Sequence, residues 1–229
     1  MTISRILCLA ITFIFASAGL TSCGGYRVRD RGNPFEQENI RVLAVPMFIN
    51  KSAYPGVAPV FTRELAKLMA SYPGLKIKSS SGGREDAVLL GIIESPRRYS
   101  EAFETTATKF TAGELETSIG NRAQYYLPTA SSYRISLRLV LIKNPGEIEK
   151  ELLASSIGAK VEGSRNSKVI FQQKFDYVGN FNRETKDTIT SDSGGVVNYT
   201  KTKRYFMQTV EQLAQQAARD FEDLVINVF

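Results

Sequence analysis

The sequence predicts an α+β fold: a two-layer sandwich in which about four strands form a mixed sheet and two helices pack on one face. Three observations lead there. Short apolar or alternating runs are bounded by Pro, Gly and polar clusters. Two longer segments, near 57–72 and 205–225, carry apolar residues at helical spacing. The order is strand, helix, strands, helix, which suits two layers around one core.

The chain opens on Arg5, an apolar stretch from Ile6 to Phe15, and the small residues Ala16, Ser17, Ala18 and Gly19. Ile6 to Leu20 includes Thr12 and Ser17 and is too short for a membrane span, which needs roughly 20 apolar residues. It reads as a secretory signal that is removed. Leu20-Thr21-Ser22-Cys23 resembles the site at which bacterial lipoproteins are cut, so Cys23 is expected to become the acylated first residue. The expected organisation is a signal peptide over 1–22, an acylated tether over 23–39, and one α+β domain over 40–229.

The tether (24–39) is polar and Gly-rich, with a short strand expected at Tyr26 to Arg29. Ile40 to Phe48 (IRVLAVPMF) reads as a buried strand that Pro46 places at an edge or a bend. Asn50 to Gly56 is a loop. Val57 to Tyr72 reads as a helix, because Phe61, Leu65, Leu68, Met69 and Tyr72 form one stripe. Pro59 fits its first turn and Pro73-Gly74 ends it. A short strand at Leu75 to Lys78, a loop at Ser79 to Glu85 and a buried strand at Asp86 to Ser95 follow, with Pro96 as the stop.

Residues 97–131 show no sustained period and read as a long loop, as do 147–167, which hold one helical turn near Ile148 to Leu153. Between them, Ser132 to Lys143 alternates. Tyr133, Ile135, Leu137, Leu139 and Leu141 share one face, and Arg134, Ser136 and Arg138 the other, as in a half-solvated antiparallel strand. Lys168 to Tyr177 is a strand and Asn180 to Val197 a polar loop. Tyr205 to Val225 is the second amphipathic helix, with Phe206, Val210, Leu213, Ala217, Phe221, Leu224 and Val225 on its apolar face.

Composition narrows the chemistry. The chain has no histidine, and of its two cysteines Cys8 leaves with the signal and Cys23 is lipidated. No thiol is left for a disulfide, a metal or a nucleophile, and histidine-based catalysis is excluded. Glu64, Glu94, Asp176 and Asp187 show no paired spacing suited to glycoside cleavage. The Gly/Ser loop at 79–83 lacks the GK[ST] context of a phosphate-binding loop. The chain carries a formal charge of +6, and Arg5 is the one charge in the signal, leaving +5 after cleavage. That mild excess suits an anionic surface or ligand. The expectation is a non-enzymatic protein without cofactor, metal or nucleic-acid partner.

Several segments in order resemble the LPS-assembly lipoprotein family, LptE. Behind the acylation site, Gly24-Gly25-Tyr26-Arg27-Val28-Arg29 resembles its Cys-Gly-aromatic-x-hydrophobic-Arg start, with one extra glycine. Val45-Pro46-Met47-Phe48-Ile49-Asn50-Lys51-Ser52 resembles its VPxFxNxS/T stretch. Pro55-Gly56 with Thr62 and Leu65 is similar to the start of its first helix, and Asp86 to Ile93 to its ADAxLxGxI strand. The motifs cover 23–95; the rest matches by element order. The resemblance implies an outer-membrane lipoprotein, lipid-anchored and facing the periplasm. It implies a chain that partners and plugs an LptD-type β-barrel and assists lipopolysaccharide transport and insertion into the outer leaflet. Gly24 after the acylated cysteine is compatible with outer-membrane sorting.

Lipopolysaccharide offers phosphates and acyl chains, and arginine pairs bidentately with phosphate. Family loops after the strand matching 86–95 carry basic ligand contacts, which implies Arg97 and Arg98. Lys109, Arg122, Arg183 and Lys186 lie in loops that can share that end of the sheet. Arg27 and Arg29 suit anionic headgroups instead. Phe103, Phe110, Tyr125 and Tyr126 are either core fillers or barrel contacts. Two other readings remain open at this point: a scaffold lipoprotein of another envelope complex or of peptidoglycan, and a hydrolase working with carboxylates.

Overall fold

One 20-residue strand organises the sheet in the computed structural model, which describes residues 32–80, 83–97, 99–112, 124–146, 168–184 and 198–228. The elements are β1 (Val42–Ala44), β2 (Ile49–Asn50), α1 (Val57–Ala70), β3 (Lys76–Lys78), β4 (Ala87–Glu94), α2 (Tyr99–Ala102), β5 (Phe103–Ala112), β6 (Gln124–Lys143), β7 (Val169–Asn182) and α3 (Tyr199–Val228). The long strand β6 pairs antiparallel with β7 along one edge. Its other edge takes β5 over 124–133 and then β4 over 136–143. β4 in turn carries β1 and β2 in parallel, and β3 lies outside β1.

The architecture is α+β with a mixed sheet and two long helices, but the sheet has seven strands, not about four. Two of the strands, β2 and β5, have no counterpart among the expected runs. The run 40–48 does not form one strand. Pro46 cannot donate to a ladder, so the chain leaves the sheet over 45–48 and re-enters as β2. The break is therefore a bend, and β1 lies between β3 and β4 rather than at an edge. The stretch read as a loop over 97–131 holds α2, β5 and the first part of β6. Residues 104–110 are exposed on both faces, so the apolar alternation that marks a half-buried strand is missing there. The loop at 147–167, its helical turn and the strand expected at 26–29 lie outside the described residues.

The expected tether also ends earlier than residue 39. Phe35 and Ile40 are fully buried. The Asn33 side chain ties the segment down, its Nδ2 donating to the Ile40 carbonyl at 2.6 Å while its Oδ1 accepts from the Phe35 amide at 3.0 Å. Asp86 then clamps the start of β1: its Oδ2 accepts from the amides of Arg41 and Val42, both at 2.8 Å.

Both helices cover one sheet face. Phe61, Leu65 and Met69 of α1 and Val210, Ala214, Ala217 and Phe221 of α3 are buried with Leu137, Leu139 and Leu141 of β6. Gly91 on β4 admits Phe48: a Cβ there would lie 2.4 Å from the ring. α3 begins six residues before the expected start, where the Asn198 side chain accepts the Lys201 amide at 3.0 Å and caps it. Tyr54, Phe103, Tyr133, Phe181 and Phe206 form an aromatic cluster under its first turns, with ring centroids 4.8–6.5 Å apart. Phe103 is thus a core residue. Among the described residues no helix is long and apolar enough to cross a membrane.

Candidate functional site

The alternation of β6 that buries Tyr133 and Ile135 beneath α3 sends Arg134, Ser136 and Arg138 to the opposite face of the sheet. Register extends the pattern to neighbouring strands: Arg134 stands opposite Val178, Ser136 between Glu94 and Asp176, and Arg138 opposite Lys174. Beyond β4, Ser95 and Pro96 lead the chain to Arg97. Lys51 follows β2, held by its amide donating to the Ile93 carbonyl at 2.8 Å. The Ala53 amide donates to Ser95 Oγ at 2.9 Å, so the two segments carrying Lys51 and Arg97 are pinned together.

These residues enclose an open groove of about 860 Å³. Its lining includes the cations Lys51, Arg97, Arg134 and Lys174 and the carboxylates Glu94 and Asp176. Both carboxylates are engaged. Glu94 faces Arg138 at 3.5 Å, and Asp176 faces Lys174 at 3.4 Å. The Ser136 hydroxyl donates to Asp176. That hydrogen bond, helped by the Lys174 charge, holds the Asp176 carboxyl below its ordinary range, so it is ionised at neutral pH. Lys51, Arg97 and Arg134 make no ion pair among the described residues. The groove therefore presents excess positive charge, two of its three unpaired cations being guanidinium forks suited to phosphate. Val178, 57 % exposed, adds an apolar patch to its wall.

Of the residues expected to bind lipopolysaccharide, the groove takes in Arg97. Lys109 is exposed on β5. Arg183 serves the end of β7: its amide donates to the Thr129 carbonyl at 2.7 Å and its Nε to the buried Ser131 hydroxyl at 2.9 Å. Arg98, Arg122, Lys186 and the lipidation residue Cys23 lie outside the described residues. The expected set omits Lys51, Arg134 and Lys174. The signal for Arg134 was present, because the alternation that identifies the strand also assigns Arg134 and Arg138 to its solvated face. Lys51 and Lys174 reach the groove by pairings between distant segments, which periodicity does not encode.

The described residues contain no cluster of three or more side chains suited to holding a metal ion. No protein-family model matches the chain. No curated protein matches it either. Solved structures with a similar arrangement include protein CT253 from Chlamydia trachomatis, 13% identical over 82% of this chain and 96% of that one, with a TM-score of 0.38. Rare lipoprotein B from Shewanella oneidensis is 10% identical over 82% of this chain and 98% of its own, with a TM-score of 0.33. Lipoprotein GNA1162 from Neisseria meningitidis is 12% identical over 76% and 97%, with a TM-score of 0.29. At these values the likeness assigns the chain to no family.

Proposed function

We propose that this chain is a non-enzymatic outer-membrane lipoprotein, anchored through acylated Cys23, that partners an LptD-type β-barrel and assists the transport of lipopolysaccharide. The signal ending in Leu20-Thr21-Ser22-Cys23 supports export and anchoring. The family-like segments over 23–95 support the barrel partnership. The observation that carries the ligand reading is the groove on the sheet face opposite the two long helices, where Arg97, Arg134 and Lys51 make no ion pair among the described residues although Glu94 and Asp176 share the lining. A phosphorylated glycolipid fits that chemistry: its phosphates meet the guanidinium forks and Val178 offers the start of an apolar surface.

Anchoring also sets the place of action. The nine residues from Cys23 to Arg31 give at most roughly 30 Å of extended chain. Gly32, the first described residue of the domain, is therefore held within that reach of the membrane surface.

The deciding experiment is affinity purification of the tagged, full-length protein from detergent-solubilised outer membrane, with mass spectrometry of the co-eluting chains. A large β-barrel of LptD type in near-equal amount is the expected result. Recovery alone, or with cell-wall proteins, replaces this reading with that of a scaffold lipoprotein.

A further inference from the structure

Pairing between β6 and β7 ends at Ala130 with Asn182, whereas pairing between β6 and β5 continues to Gln124 with Ala112. Residues 107–112 and 124–129 therefore run past the sheet as a two-stranded ribbon. Six residues at about 3.4 Å each extend it by ~20 Å. Its base is re-aimed. The register shifts twice between Thr105 and Thr108, and such bulges bend and twist a strand pair. Pro128, opposite Thr108 at that base, contributes no amide to any ladder.

The composition of this ribbon does not suit water. Over 105–112 and 124–133 the one charged residue is Lys109. Phe110 and Tyr126 face each other across the register, with ring centroids 5.3 Å apart, and are 50 % and 71 % exposed. Solvated edge strands usually carry charges that prevent further pairing, and two strands alone are marginal in water. Aromatic enrichment with charge depletion is instead the signature of a protein interface core. A headgroup surface would select lysine and arginine, which the two paired strands lack but for Lys109. Thr108, Thr111 and Thr129 supply it with hydroxyls. Among the described residues no further strand covers the outer edge of β5 or of 124–128, so alternate backbone groups point outward. The fitting occupant is a neutral, hydrogen-bonding protein wall, which the polar lumen of a large β-barrel provides.

We propose that the ribbon formed by residues 107–112 and 124–129 is the arm by which this chain docks into its barrel partner, with Phe110 and Tyr126 as the anchoring side chains. The inference rests on the barrel-partner reading above and names the surface that serves it.

The test uses the full lipidated chain co-expressed with the LptD-type barrel of the same organism. A photo-crosslinking residue at position 126 is expected to give a covalent adduct with the barrel. The double variant Phe110→Ser/Tyr126→Ser is expected to bind the barrel at least tenfold more weakly, with its thermal unfolding unchanged because both side chains are exposed. The inference is overturned if position 126 crosslinks only to a second copy of the chain or to lipid, or if the variant retains the barrel as well as the unsubstituted chain does. In those cases a wild-type chain that still holds the barrel leaves the functional reading standing. A wild-type chain that never holds the barrel removes both.

Discussion

Tyr133 lies flat across Gly179, its directly opposed partner on β7. A methyl group placed on Gly179 would come within 2.3 Å of the ring carbon Cζ. The glycine is what lets the ring reach Thr209, whose Oγ1 is 2.7 Å from the tyrosine hydroxyl. Gly179→Ala is therefore expected to destabilise the domain by about 1–3 kcal/mol, the usual cost of overpacking. Denaturant unfolding measures it, and an unchanged midpoint would contradict the contact. Adding Tyr133→Leu should recover part of the loss.

Burial pushes the Tyr133 hydroxyl up to about 12, and burial with the Asp220 carboxylate nearby pushes Tyr177 up as well. The unfolded tyrosines ionise near 10. Both groups favour the folded state fully below pH 10, and that contribution is lost as pH rises from 10 through the folded values. Stability is expected to fall over pH 10–12, with Tyr133 accounting for roughly 2–3 kcal/mol. Tyr133→Phe should flatten the slope over this window in pH-dependent unfolding. An identical slope would remove Tyr133 as its source.

Asp86 joins two distant segments through the amides of Arg41 and Val42. Asp86→Ala leaves both donors without that acceptor, and a loss of about 1–3 kcal/mol is expected in thermal or denaturant unfolding. Asp86→Asn keeps one acceptor oxygen and should lose less.

Arg97→Glu with Arg134→Glu inverts the groove's unpaired charge. The expected result is at least ~10-fold weaker lipopolysaccharide binding at moderate salt, since charge-assisted hydrogen bonds contribute about 1.5–3 kcal/mol each. Barrel binding should persist. Equal affinity for lipopolysaccharide, measured on the purified protein, would take the groove out of the ligand site.

Cys23→Ala removes the proposed acylation point without touching the described residues. Fractionation should then find the protein in the soluble periplasmic fraction in cells lacking the barrel. In cells that contain the barrel, partial membrane retention measures how much the partner alone contributes. Full retention without either anchor would end the tether reading.

The sequence was most legible where burial imposes a period. β4, the second half of β6 and both long helices follow from apolar spacing, because each has a face against the core. β5 and the outer part of β6 escape that logic. Both faces of 104–110 meet solvent, and Thr-rich, aromatic-dotted sequence then looks like loop. The division of 40–50 into two strands turns on Pro46, whose presence was plain but whose outcome, edge or bend, depended on where β3 and β4 would lie. The groove divides in the same way. Arg97 was marked by the family resemblance, through its place after the strand at 86–95, and Arg134 by parity, whereas Lys51 and Lys174 join them only through long-range register.

The placement of α3 has a consequence for biogenesis. This helix is the last described element, yet it closes the face bearing Leu137, Leu139 and Leu141 and caps the Tyr54–Tyr133–Phe206 cluster. Under the proposed export, with the amino end emerging first, a nearly complete sheet stays open to water until the thirty residues of α3 follow. Such intermediates expose apolar surface and strand edges and are prone to aggregate. A stop before Phe206 should yield an insoluble or degraded product rather than a weakened one, and the full chain should depend on periplasmic holding factors during transit.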